Sequence, residues 1–150
     1  HKTQIMNFKE KIVRLCILFI FVLTSQISAS AKESSTFNWQ PVIDAIIEVE
    51  SNGDTRAKSG NSVGAMQITP ILVAECNNIL RSRNQKKRYK LSDRFSLQKS
   101  KEMFLLMQSQ FNQENNVEKA IRAWNGGNNF SKKRTQRYYE KVMCVLKSND

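Results

Sequence analysis

The apolar positions of the chain fall into stretches with helical spacing. Trp39, Val42, Ile43, Ile46 and Ile47 stand at i, i+3, i+4, i+7 and i+8, one face of a helix. Pro41 suits its first turn, where a missing N–H costs no hydrogen bond. Residues 53–64 are rich in turn formers. Met66 to Leu80 becomes helical after Pro70, with Ile71, Leu72, Ala74 and Cys76 as its apolar content. Arg81 to Lys90 (RSRNQKKRYK) is basic and reads as an exposed loop or helix end. Ser96 to Phe111 carries Leu97, Met103, Phe104, Leu106, Met107 and Phe111, and predicts a helix. Val117 to Trp124 predicts a shorter helix, stopped by Gly126-Gly127. Thr135 to Leu146 closes the chain as a helix with Tyr138, Val142, Val145 and Leu146 on one side. No stretch is strand-rich and no repeat is visible. The class is all-α, with room for a small β-hairpin between Gly53 and Met66.

The first 31 residues follow a different pattern. His1 to Ile5 precede Met6, which reads as the natural start. Lys9, Lys11 and Arg14 form a positive patch, Leu15 to Leu23 (LCILFIFVL) is an apolar run, and Ser28-Ala29-Ser30-Ala31 supplies small residues. Basic, apolar and small segments in that order predict a secretory signal, cleaved after Ala31. A nine-residue run is too short to span a bilayer comfortably. A retained anchor is the alternative; cleavage would leave no stable membrane span. The remaining segment, residues 32–150, has the length of one globular domain.

Charge narrows the partners. The whole chain has 24 basic and 13 acidic residues, a net +11. Residues 32–150 hold 20 basic and 12 acidic ones, a net +8. An exported domain this basic should meet an anionic partner outside the cytoplasm. Aromatic residues are not interleaved with the basic runs, apart from Tyr89, so no nucleic acid is expected.

The inventory of reactive side chains excludes much chemistry. The only histidine is His1, and the only cysteines are Cys16, Cys76 and Cys144. A Ser-His-Asp or Cys-His nucleophile needs an internal histidine. A structural zinc site needs more ligands than these. No metal or cofactor is expected, and proton transfer would fall to Glu, Asp, Tyr or Lys. Cys76 and Cys144 could pair in an oxidising compartment, or serve as small buried hydrophobes.

One carboxylate lies on an apolar face. Glu50 is four residues beyond Ile46 and seven beyond Ile43, so it continues the stripe of the first helix. Desolvation there raises a carboxyl pKa and makes a general acid near neutral pH. The alternative is a helix that ends near Val49, with Glu50 only capping the turn.

Residues 50–70 read ESNGDTRAKSGNSVGAMQITP. Glu50-Ser51, Ala57-x-Ser59 and Gly64-Ala65-Met66-Gln67-Ile68-Thr69-Pro70 resemble the signature of the soluble lytic transglycosylases of the lysozyme-like superfamily. A second family block, Ala-Tyr-Asn-x-Gly, has its counterpart in Ala123-Trp124-Asn125-Gly126-Gly127. A third, Thr-x-x-Tyr-x-x-Lys-Val, has its counterpart in Thr135, Tyr138, Lys141 and Val142. The three blocks stand in the family's order. Two departures stand out: Trp124 replaces the usual Tyr, and Ser96 to Met107 lacks the Asn-Ile and Gly of the family's middle helix, with Phe104-Leu105 at the Tyr-Leu place.

The resemblance implies a lysozyme-like helical domain that cleaves the β-1,4 bond between N-acetylmuramic acid and N-acetylglucosamine in peptidoglycan. It implies Glu50 as general acid and then base, with the sugar's own 6-hydroxyl closing a 1,6-anhydro ring. Ser51, Met66, Gln67, Asn125, Trp124 and Tyr138 are the implied substrate-side residues. Ser51 would orient a sugar or the Glu50 loop, Gln67 would hydrogen-bond substrate or the Glu50 region, and Met66 would chiefly pack. Asn125 would bond the turn or the substrate, Tyr138 would set an N-acetyl group or tune Glu50, and Trp124 would stack on a sugar or sit buried. The implied partner is a peptidoglycan glycan strand, met by a monomer in the periplasm or wall; a secretion or conjugation apparatus is a further partner that the family raises. The rivals are a lysozyme-type muramidase using Asp54 as second carboxylate, and a non-catalytic cationic wall-binding protein. Asp54 otherwise reads as a plain turn residue.

Overall fold

A computed structural model describes residues 37–149. The expected export signal over residues 1–31 lies outside the described residues. The elements run α1 (Gln40–Ser51), β1 (Lys58–Ser59), β2 (Ser62–Val63), α2 (Pro70–Ser82), a 3-10 turn (Leu91–Phe95), α3 (Leu97–Phe111), α4 (Val117–Gly126) and α5 (Lys132–Ser148). The architecture is all-α and lysozyme-like, with one two-stranded antiparallel hairpin pairing Lys58 with Val63 and Ser59 with Ser62.

Local chemistry starts each helix. The side chains of Thr69, Ser96, Asn116 and Ser131 accept from the N–H groups of Leu72, Lys99, Lys119 and Arg134, satisfying donors that have no partner within the helix. Helix α1 lacks such a cap and opens with Pro41 in its first turn. Helix α5 begins three residues before the apolar periodicity, because Ser131 caps a charged turn, Lys132 to Arg134, that carries no apolar signal. The 3-10 turn was likewise invisible to periodicity. A single tight turn is too short to show a face.

Helices α1 and α4 both pack on α5, and α2 packs on α3. Val42, Ile43, Ala45 and Ile46 of α1 are buried in one cluster with Met66, Ile68, Cys76, Met103, Ile121 and Val142. Phe104 is fully buried at the centre, in edge contact with Trp39 (5.7 Å) and tilted on Trp124 (5.3 Å). Truncating such a ring costs about 3–5 kcal/mol in lost transfer energy and cavity. Arg122 clamps α4 to α5. Only 3% exposed, it donates to Glu118, Thr135, Gln136 and the Lys132 carbonyl and lies 4.3 Å over the Tyr139 ring. Every nitrogen of the buried guanidinium has a partner, which is what permits its burial. Cys76 and Cys144 do not pair. Both are free, Cys76 buried and Cys144 exposed. Burial pushes the Cys76 thiol up to about 12, so it behaves as a small hydrophobe.

Candidate active site

Helix α1 extends through Ser51 before Asn52 turns left-handed (φ 52°), so Glu50 lies in its last turn and not beyond it. The apolar face of α1 faces α5, and Glu50 follows it. Tyr138 of α5, 88 positions away in the chain, donates its hydroxyl to Glu50 Oε1 at 2.7 Å. Two opposed effects act on the carboxyl. Burial is the larger and raises its pKa above the ordinary 4.5; the Tyr138 hydrogen bond favours the ionised form and lowers it. Among the described residues, no charged neighbour enters this balance. Burial and the Glu50 charge also raise the Tyr138 phenol, so Tyr138 stays a neutral donor.

The hairpin segment is tied to the same helix end. Ser51 Oγ donates to the Ala65 carbonyl at 2.8 Å, so its proton serves the loop. Gly64 has φ +78°, and a Cβ there would meet the Arg94 carbonyl oxygen at 1.9 Å. Only glycine allows the 3-10 turn to approach so closely. Arg94 Nη1 donates to the carbonyls of Asn61 and Ile68, stapling both sides of the loop. No sequence signal marked Arg94, because its partners are backbone atoms brought in by the tertiary fold.

Gln67 is left-handed (φ 51°), and its Nε2 donates to the Gly64 carbonyl at 2.8 Å. A non-glycine residue held at positive φ is strained, and such strain clusters at functional sites. The Met66 side chain is fully buried, so it packs and does not face a ligand. Its carbonyl instead accepts from Trp124 Nε1 at 3.2 Å. Trp124 is half-buried, with Phe104 against it. Asn125 is exposed in the last turn of α4.

The three sequence blocks therefore meet in space. The second touches the first through Trp124 and Met66, and the third touches it through Tyr138 and Glu50. Asp54 stands apart from this arrangement: it is exposed, and its carboxylate accepts the Arg56 N–H at 2.8 Å, as a turn residue does.

A lysozyme-like helical domain with one desolvated glutamic acid on a tyrosine is suited to glycosidic bond cleavage by proton transfer. The model of the transglycosylase SLT domain matches residues 27–143, and the chain belongs to that family. Membership assigns it a lytic-transglycosylase-type action on peptidoglycan. No curated protein and no solved structure matches the chain significantly. Among the described residues, no helix is long and apolar enough to cross a membrane.

Proposed function

We propose that this chain is an exported lytic transglycosylase, cleaving the bond between N-acetylmuramic acid and N-acetylglucosamine with Glu50 as its single catalytic carboxylate. The observation that carries the reading is the Glu50–Tyr138 pair: a desolvated acid, held by one neutral donor, with no charged neighbour among the described residues. Glu50 gives its proton to the glycosidic oxygen as the C1–O bond breaks. The muramic N-acetyl oxygen bonds to C1, one of the exceptions to the two-carboxylate rule. The ionised Glu50 then takes the proton of the 6-hydroxyl, whose oxygen displaces the N-acetyl group at C1. The product is a 1,6-anhydro sugar, no water is consumed, and Glu50 ends protonated. Tyr138 stabilises the carboxylate between the two proton transfers.

Ser51 and Gln67 support this geometry by ordering the Gly64–Gln67 loop beside the helix end. Asn125 and the open edge of Trp124 are the groups offered to the sugar chain. The test is mass spectrometry of soluble products from purified peptidoglycan, with the wild type beside Glu50→Gln. Anhydro-muropeptides from the wild type alone support the proposal. Reducing ends from the wild type alone mean a muramidase and send attention to Asp54. No release from the wild type at any pH or salt overturns both, leaving a cationic wall-binding protein.

A further inference from the structure

The basic run Arg81 to Lys90 has no part in the site above. The Glu50–Tyr138 pair joins α1 to α5, whereas this run leaves the end of α2 and lies along α3. Two contacts fix its course. Arg83 donates to Ser109 and Gln110, and Lys87 pairs with Glu102, so the run is antiparallel to the helix.

Most of its charge is left over. Arg81 and Arg83 donate to neutral side chains, and Arg88 to carbonyls. Among the described residues, Arg81, Arg83, Lys86, Arg88 and Lys90 form no ion pair, and all five are exposed. Glu102, the acid on this face of α3, is already held by Lys87 and Lys99. Cations that no acid of the chain neutralises attract an anionic partner.

Apolar side chains stand among these charges. Glu102, Leu105 and Ser109 follow one another at spacings of three and four on α3, hence on one face. Lys87 holds the first and Arg83 the last, so Leu105 lies between two cations, and it is 45% exposed. Leu91 follows Lys90 directly and is 52% exposed. The second basic run, Lys132 to Arg137, differs: among the described residues, no exposed large apolar side chain lies on α5.

That combination selects the partner. A soluble polyanion would neutralise the cations and leave the leucines in water. Tyr89, the one aromatic residue of the run, is buried, so no nucleic-acid base can stack on it. An anionic bilayer satisfies both groups: its phosphates take the cations, and the leucines enter the boundary between headgroups and acyl chains. Long basic side chains reach past apolar neighbours to put their charge at the phosphate level.

We propose that the segment Arg83 to Leu91, with the Leu105 face of α3, docks on an anionic phospholipid bilayer and holds the domain at a membrane surface without spanning it. The proposal is independent of the role given to Glu50.

The test follows acylation of lysines in the whole chain, read by peptide mapping, as vesicles are added at low salt. Residues 1–36 are common to every protein compared, and the readout is local. On mixed phosphatidylglycerol–phosphatidylcholine vesicles Lys86 and Lys90 lose reactivity, while Lys133 of α5 keeps its own. Pure phosphatidylcholine protects none of them. Leu105→Ser raises the lipid concentration that half-protects Lys86 roughly tenfold. Arg83→Gln with Arg88→Gln raises it about 25-fold, from about fivefold per cation. Thermal melts check folding, and muropeptide release from lipid-free peptidoglycan stays at the wild-type rate in these variants, whatever that rate is. No protection on anionic vesicles, or equal protection of Lys133, overturns the proposal. Wild-type binding by folded Leu105→Ser overturns the bilayer and leaves a polyanion site, which soluble polyphosphate would then fill. Slower release by the folded arginine variant moves the surface to the glycan substrate and overturns the proposal as well.

Discussion

Replacing Tyr138 by Phe removes one hydroxyl and keeps the ring. The ring packs against the core, so the fold should survive. What disappears is the 2.7 Å bond to Glu50 Oε1. A hydrogen bond to an ionised group contributes about 1.5–3 kcal/mol, and a neutral one about 0.5–1.5 kcal/mol. Only the difference, about 1–1.5 kcal/mol, acts on the step in which Glu50 loses its proton. The rate should therefore fall about tenfold, with KM nearly unchanged. A second readout carries a sign. In the proposed reaction Glu50 starts protonated, so activity should fall as pH rises through its pKa. Tyr138 favours the carboxylate and burial favours the acid. Without Tyr138 burial acts alone, and the alkaline limb moves to higher pH. The assay is the initial rate of muropeptide release across pH for both proteins, with thermal melts as a folding control. A limb that stays in place or moves to lower pH, in a folded variant, refutes the role given to Tyr138.

Other perturbations separate the remaining assignments. Glu50→Gln should abolish turnover and raise Tm at pH 7. Burial raises the folded-state pKa above 4.5, so ionising Glu50 costs stability; that cost is absent below 4.5 and grows as pH rises through the raised value, and melts at pH 4 should therefore coincide. Asp54→Asn keeps the turn acceptor for Arg56, and a rate within about twofold of wild type is expected from an exposed residue outside the chemistry; a loss beyond tenfold would restore Asp54 as a second carboxylate. Gly64→Ala should destabilise by about 3 kcal/mol or more in denaturant melts, because positive φ and the Arg94 carbonyl both oppose a side chain. In peptide mapping after brief thiol alkylation, exposed Cys144 should label in the native protein, and buried Cys76 only after unfolding.

Much of the fold was legible because it is written locally. Amphipathic spacing at Trp39 to Ile47 or at Ser96 to Phe111 needs no partner to be seen, whereas the caps at Thr69, Ser96 and Asn116 came from the structure. Glu50 was legible for the same reason: a carboxylate continuing an apolar stripe is a one-dimensional anomaly. Turn formers over residues 53–64 left room for the hairpin, and the structure puts Gly60 and Gly64 there at positive φ.

Other features had no local trace. Whether Glu50 ended a helix or capped a turn depended on Asn52 adopting a left-handed conformation after Ser51. Arg94 and Arg122 are two of 24 basic residues in the sequence, and nothing in spacing distinguishes them from solvated ones. Their importance comes from carbonyls and side chains 10 to 33 positions away. Met66 sits within a motif yet faces the core. The sequence by itself determined the helices, the turn and the candidate acid, since periodicity, turn formers and a misplaced charge are properties of neighbours along the chain. Only the tertiary structure decided which phenol holds that carboxyl and which backbone oxygens hold the loop, because hydrogen bonding and desolvation are set by neighbours in space.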